Sequence, residues 1–342
     1  MIASMIKRTI LDSILFAYFF CVLMLVIFSP SQADMLDLSR NVLVFFVGFG
    51  LGVIVSYVLN KMGLRTLGEL IFESAYKKAV AEEVSWTRQV WSYQLILFLI
   101  ITFTVGSIMT KFSLTELLDE DGFAGAARLF KGLASPNMDL LPRAVLNIIE
   151  TIFMAFMATA LAIPVAFVLC FFCAKNIMKG SVGFAIYLFL RTVLNVTRSI
   201  EALIWAIIFS VWVGIGPFAG MLALMIHSIA SLAKQYSEIV ETVDEGPIEG
   251  ITSTGAGKLQ TIWFAIVPQV VLPFISFTVY RWDINIRMAT IIGLVGGGGI
   301  GTLLIQYQGQ AMWPEVGTII LVIAFVVWFM DTASAYLREA LK

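Results

Sequence analysis

Charge, histidine and cysteine are all scarce in this sequence, and each shortage excludes something. Asp, Glu, Lys and Arg make up only 13% of the 342 residues, against 60% hydrophobic ones, and the mean hydropathy is +0.94. No soluble domain has that balance, so the chain reads as an all-α polytopic membrane protein. The one histidine, His227, sits in an apolar run with no second His or nearby Cys, which leaves no metal site and no clustered His/Asp/Glu centre for an intramembrane enzyme. A packing role and a contact with a passing solute are both open for it. Of the three cysteines, Cys170 and Cys173 fall in an apolar span and form no disulfide framework or redox motif. A Gly-x-x-x-x-Gly-Lys-Ser/Thr loop is also missing, so the chain is not expected to bind ATP itself.

Long apolar runs are what the chain has instead, and a span needs about 20 such residues. Ile10 to Phe28, behind Lys7-Arg8, and Asn41 to Asn60 together read as an uncleaved hairpin and not as a signal peptide. Gly48, Gly50 and Gly52 are expected to let the second helix pack closely on a neighbour. Lys61 to Arg88 carries Leu64, Leu67, Leu70, Ile71, Val80 and Val84 at helical spacing among charged residues, which predicts an amphipathic surface helix. Val90 to Thr110 is a third span, followed by a polar connection, Lys111 to Asn147, with a short amphipathic helix around Phe123 to Leu133. Ile148 to Cys173, Glu201 to Pro217, Phe218 to Leu232, Val267 to Val295 and Val316 to Met330 read as further spans, with Ser181 to Arg198 lying at the interface. The total is about eight spans.

Basic residues orient them. Placing the N-terminus, the loops 61–90, 174–198 and 234–262 and the C-terminus on one side collects fifteen Lys and Arg there, against five on the other side. That asymmetry predicts that both termini are cytoplasmic. Arg281 and Arg287 belong to neither side, because they fall within a span.

A charge at bilayer depth costs about 2.5 to 3.5 kcal/mol on insertion scales, so the stretch from Tyr280 to Arg287 needs partners or a water-filled path. Asp283 and Arg287 are four residues apart on one helix face and are expected to pair. Arg281 and Asn285, with Thr278 beside them, form another polar face, and Arg281 has no carboxylate partner in its own helix. Two readings stay open for it: a tie to Glu201 or Glu238 or to another protomer, or direct contact with an oxyanion whose oxygens match the planar guanidinium. Arg198 is close enough in sequence to neutralise Glu201 locally.

Two further stretches stand out. Four Glu and one Asp between Ser237 and Glu249 cannot lie in lipid and must face water or a partner. This segment is predicted to be a helix broken at Gly246-Pro247, a second short helix from about Ile248 to Thr254, a turn at Gly255 and a run into Pro268. Gly293, Gly296, Gly297, Gly298, Gly299 and Gly301 put six glycines in nine residues. Such backbone is flexible or tightly turned, is tolerated at membrane depth only where it lines a cavity or is buried in protein, and suits a gate or hinge.

Glu249-Gly250-Ile251, Gly255 and Pro268 resemble the EAA loop of ABC importer permeases, with Gly250 and Ile251 where that family has two alanines. In that family the loop is the coupling helix, seated in a groove of the ATPase subunit. The resemblance implies a coupling helix at 246–262 and a coupling role for Glu245, Gly246, Pro247, Glu249, Gly250, Gly255, Ala256 and Pro268. Taken with Val211 to Gly220 and with the run from Tyr280-Arg281 to Gly301, it extends over roughly residues 136 to 342 and is similar to the phosphonate subfamily.

By that resemblance, residues 147–342 are expected to form a type I ABC importer core (MetI-like). Additional N-terminal transmembrane helices and an amphipathic helix would occupy 1–110, and an external connection 111–146. The resemblance implies a pathway-forming subunit, not an enzyme, in the bacterial cytoplasmic (inner) membrane. A homodimer would enclose the pathway, a separate ATPase dimer would hold ATP and Mg, and an extracytoplasmic solute-binding protein would deliver phosphonate, phosphite or a related phosphorus oxyanion. This chain itself would carry no cofactor or metal and bind no nucleic acid. Arg281, Asp283, Asn285, Arg287, Glu201 and His227 are the pathway candidates, and Gly293 to Gly301 the gate. The competing reading is a secondary transporter or channel for a small anion, which predicts internal symmetry between halves. Nothing in the first half mirrors residues 238–301.

Overall fold

A computed structural model describes residues 2–28, 37–72 and 89–340. Among them are helices and turns and no strands, as expected where lipid leaves every backbone polar group to be satisfied within its own segment. Contacts divide the chain into two compact units, Met1–Phe123 and Ala124–Lys342.

The first unit contains α1 (Ile2–Phe28), α2 (Leu38–Lys61), α3 (Leu67–Phe72), α4 (Val90–Met109) and α5 (Leu114–Leu117). Asp37 caps α2, accepting from the backbone N–H of Ser39 and Arg40. α1 and α2 pack closely at Gly48 and Gly52, where an added Cβ would press on Phe20 and Ala17 or on Ser13 and Phe16. Gly50 faces open space instead, because two residues along a helix turn the side chain away from the contact that positions four apart share. Asp12, an apparent blemish in an apolar run, is buried and accepts from Ser56 Oγ (3.3 Å), Thr66 Oγ1 (2.5 Å) and Gly68 N (2.9 Å). One carboxylate therefore ties α1 to α2 and to the start of α3. Of the amphipathic helix expected over 61–88, α3 is present, and residues 73–88 lie outside the described residues.

The second unit takes in most of α6 (Glu120–Leu133) and all of α7 (Leu141–Phe172), α8 (Ser181–Ser199), α9 (Ala202–Val213), α10 (Pro217–Glu241), α11 (Glu245–Ser253), α12 (Lys258–Thr261), α13 (Val267–Gly293), α14 (Gly299–Gly309) and α15 (Trp313–Ala340). A π-helical turn, Ile262–Ile266, joins α12 to α13. The most extensive packing is between α7 and α10. Small side chains permit it: Ala144, Ala155, Ala158, Ala162 and Ala166 on α7 and Ala219, Ala223, Ala230 and Ala233 on α10 are all buried. In lipid, helices associate through such close backbone approach. α13 packs on both, and Tyr236 stacks on Phe274 with ring centroids 4.0 Å apart. The connection before α7 is fastened to α15, with Asn137 Nδ2 donating to Glu315 Oε1 (3.1 Å) and Thr318 Oγ1 to Asn137 O (2.7 Å).

Six of the described helices are long and apolar enough to cross a membrane, or up to seven spans if the bent pair α8–α9 counts as one. With α1, whose 27 residues include Lys7, Arg8 and Asp12, that agrees roughly with the expected eight. The Glu201 to Pro217 run, however, is not a full crossing. α9 has 12 residues, about 18 Å of helix against about 30 Å of hydrocarbon, and it meets α8 at 90°. The two are halves of one broken element, bent at Ile200-Glu201.

Candidate functional site

The polar stretch after α10 forms a short, exposed helix, with a different break from the one predicted. α10 ends at Glu241, the chain turns through Thr242 to Asp244, and α11 then starts with Gly246 and Pro247 already in its first turn. Proline is tolerated there because a first-turn N–H has no intrahelical acceptor in any case. Asp244 caps the helix, accepting from Gly246 N at 3.2 Å. Gly255, at φ +83°, turns the chain out of it, a conformation suited to glycine. Glu245, Gly246, Pro247, Glu249, Gly250, Gly255 and Pro268 are all exposed, and Ala256 is partly covered.

The foot of α11 is clamped on both sides by residues that sequence reasoning did not single out. Gln269, in the first turn of α13, accepts from Asp244 N (3.0 Å) and donates to Asp244 O (3.4 Å) and Ala265 O (2.8 Å). Glu241, the last residue of α10, accepts from Arg191 Nη1 (3.0 Å) and Lys175 N (2.8 Å), while Asn176 Nδ2 donates to Val240 O (2.7 Å). Ile248 of α11 packs against the buried cluster at the same end of the bundle. A push on α11 therefore reaches α13 through the two hydrogen bonds between Asp244 and Gln269, and α10 through covalent continuity.

Midway along the unit lies a polar cluster. Asp283 and Arg287 pair at 2.7 Å as predicted, and Arg287 also approaches Asp331 of α15 at 3.3 Å. Asn285 is fully buried and donates to Thr159 Oγ1 of α7 and Ser228 Oγ of α10, both at 2.8 Å. Arg281 Nε donates to the same Ser228 Oγ at 3.2 Å. Neither Glu201 nor Glu238 lies within ion-pair distance of Arg281. Glu201 is exposed at the α8–α9 bend, and Glu238 pairs with Lys234. His227 adjoins Ser228 with its Nδ1 buried and unpartnered. Ser228 and Thr159 were missed in sequence, since isolated hydroxyls in apolar helices usually bond back to their own backbone, and Asp331 was missed because it lies just past the last apolar run, Val316 to Met330. A polar residue at mid-span depth was the only signal the two hydroxyls gave.

The glycine run is tightly turned. Gly296, Gly298 and Gly299 have φ of +89°, +78° and +68°. A Cβ on Gly293 would lie 2.6 Å from Gly298 O, and one on Gly298 2.5 Å from Pro217 Cγ. The turn is held from α7, where Glu150 Oε1 accepts from Gly299 N (3.3 Å) and Thr151 Oγ1 from Ile300 N (2.9 Å). It opens α14, whose 11 residues make about 16 Å, too short to cross. α11 and the glycine turn thus sit at opposite ends of α10 and α13.

Comparison with known proteins agrees with this arrangement. The family model described as "Binding-protein-dependent transport system inner membrane component" matches residues 140–342, the whole of α7 to α15. Over 195 residues the chain is 37% identical to the phosphite transport system permease protein PtxC of Stutzerimonas stutzeri, covering 57% of this chain and 70% of that protein. It is 34% identical over 221 residues to the phosphate-import permease protein PhnE of Mycolicibacterium smegmatis, covering 65% of this chain but 41% of that one. A chain of the MetNI methionine ABC transporter, solved in an inward-facing conformation, aligns with a TM-score of 0.52 at 20% identity, over 60% of this chain and 97% of its own length. At that identity the likeness is one of fold. The chain accordingly belongs to the family of binding-protein-dependent transport system inner membrane components.

Proposed function

We propose that this chain is the pathway-forming subunit of an ATP-driven importer of phosphite, phosphonate or a related phosphorus oxyanion in the bacterial inner membrane. The observation that carries the reading is α11, an exposed helix clamped by Gln269 to the foot of α13, in a chain similar to a phosphite permease. α11 lies on the cytoplasmic side and is the contact for a separate ATPase dimer, which holds the nucleotide and its Mg2+. Glu245, Pro247, Glu249 and Gly250 present the surface, and Gly255, Ala256 and Pro268 set its angle to α13. Closure of the ATPase subunits displaces α11 as a rigid handle. Gln269 passes the movement to α13, and the far end of α13 moves the turn at Gly293, Gly296, Gly297, Gly298, Gly299 and Gly301. Two copies of the chain enclose the pathway, and an extracytoplasmic binding protein delivers the anion at the glycine end. The cycle alternates between two packings of comparable stability that nucleotide binding biases.

The test is reconstitution. The chain, co-purified with an ATPase encoded beside it and placed in liposomes, takes up labelled phosphite only when ATP and the binding protein are both supplied. Uptake by the chain alone, driven by an ion gradient, would refute the reading in favour of a secondary transporter.

A further inference from the structure

At mid-membrane depth the structure leaves a positive charge without a counter-charge. Arg281 lies roughly 21 Å along α13 from Val267, is 7% exposed, and takes part in none of the ion pairs among the described residues. Its Nε is fixed by Ser228, while its Nη2 is buried with no partner at all. Its Nη1 is neither hydrogen-bonded nor among the buried orphans, so the sliver of surface left to the residue includes that atom. Burial this deep within one chain argues against a tie to a second copy. A buried charged donor left unpaired is costly, and a guanidinium in hydrocarbon is retained where something other than packing needs it.

The surroundings suit an arriving anion. Asn285 donates to Ser228 and Thr159, so α7, α10 and α13 share one hydrogen-bonded knot that holds the guanidinium in a single orientation. His227 adds a second buried nitrogen without a partner, its ring Nδ1, one residue from Ser228. Glu201 stands at the exposed α8–α9 bend, beyond ion-pair distance of Arg281, and so does not occupy its donors.

We infer that Arg281 and His227 form an intramembrane station for a tetrahedral oxyanion, with Ser228, Asn285 and Thr159 as positioning residues. A phosphorus oxyanion places two oxygens against the planar guanidinium donors. This inference rests on the importer reading above and assigns that transporter a site of its own, besides the one in the binding protein.

The experiment uses the intact permease–ATPase complex in nanodiscs without binding protein, titrated with labelled phosphite and inorganic phosphate and with sulfate for comparison. Arg281→Gln is expected to weaken phosphite binding about 10- to 100-fold, and Arg281→Lys to give an intermediate loss. Melting of the Arg281→Gln complex is expected to stay level or rise, because an unpaired buried charge is removed. If Arg281 is a structural tie to Glu201, Arg281→Gln and Glu201→Gln both melt lower, the double variant adds nothing, and phosphite affinity is unchanged. That result overturns the station, as does a wild-type complex with no measurable oxyanion binding. If Arg281→Gln fails to fold, the Arg281→Lys affinity decides. Wild-type uptake of phosphite with an Arg281→Lys KM equal to wild type sinks the station alone, whereas absence of ATP-dependent uptake in the wild type sinks the importer reading.

Discussion

Two glycines five residues apart separate a backbone effect from a surface effect at the coupling helix. Gly250 lies inside α11 and Gly255 just beyond it, and a Cβ at either position meets nothing within 4 Å. Alanine is therefore sterically harmless at both, and only backbone conformation distinguishes them. At Gly250 the backbone is helical, so Gly250→Ala favours α11 by about 1 kcal/mol. At Gly255 φ is +83°, where an L-residue with a Cβ is disfavoured by about 1–2 kcal/mol, so Gly255→Ala shifts the turn away from its present geometry by a factor of about 5 to 30. Asparagine, which tolerates that conformation, restores part of the loss. The readout is phosphite taken up per ATP hydrolysed in proteoliposomes containing the ATPase and binding protein. Gly250→Ala is expected to match or exceed wild type. Gly255→Ala is expected to hydrolyse ATP with uptake per turnover reduced several-fold, and Gly255→Asn to fall between. Full coupling in Gly255→Ala, or equal damage from both alanines, would show that the angle at which α11 leaves its turn does not carry the force.

Gln269→Leu removes the clamp between α11 and α13, whose neutral bonds contribute about 1 kcal/mol each. It is expected to lower uptake per ATP while the ATPase still co-purifies, and unchanged coupling would mean that force takes another route. Gly301→Ala drives a Cβ into Thr290 O and to 2.8 Å from Gly293 Cα, so the monodisperse peak in size-exclusion chromatography should be lost, whereas Gly309→Ala, with open space around it, should be silent. Asp12→Ala strips the acceptor from Ser56, Thr66 and Gly68 and is expected to destabilise the N-terminal unit by about 3 kcal/mol or more. Thermal unfolding followed in that unit checks this, and an unaltered transition would rule out the carboxylate as its tie.

Composition and periodicity alone determined the membrane class, the helical architecture and most of the spans, because a bilayer permits few solutions and 20-residue apolar runs announce them. The exposed segment after α10 was equally legible, since five carboxylates in thirteen residues exclude lipid, and Asp283 with Arg287 could be paired from spacing on one helix. Spacing along one helix could not decide anything that joins different helices. The clamp of Gln269 on Asp244, the meeting of Arg281 and Asn285 at Ser228, and the tie from Asp12 to Thr66 depend on which faces pack together. The broken element at Ile200-Glu201 escaped for a related reason: α9 is apolar enough to span but too short, and apolarity shows in the sequence more plainly than where a helix bends. Burial, set by the packing of α7, α10 and α13, leaves Arg281 without a counter-charge, whereas its position in the chain allowed a tie and an anion contact alike.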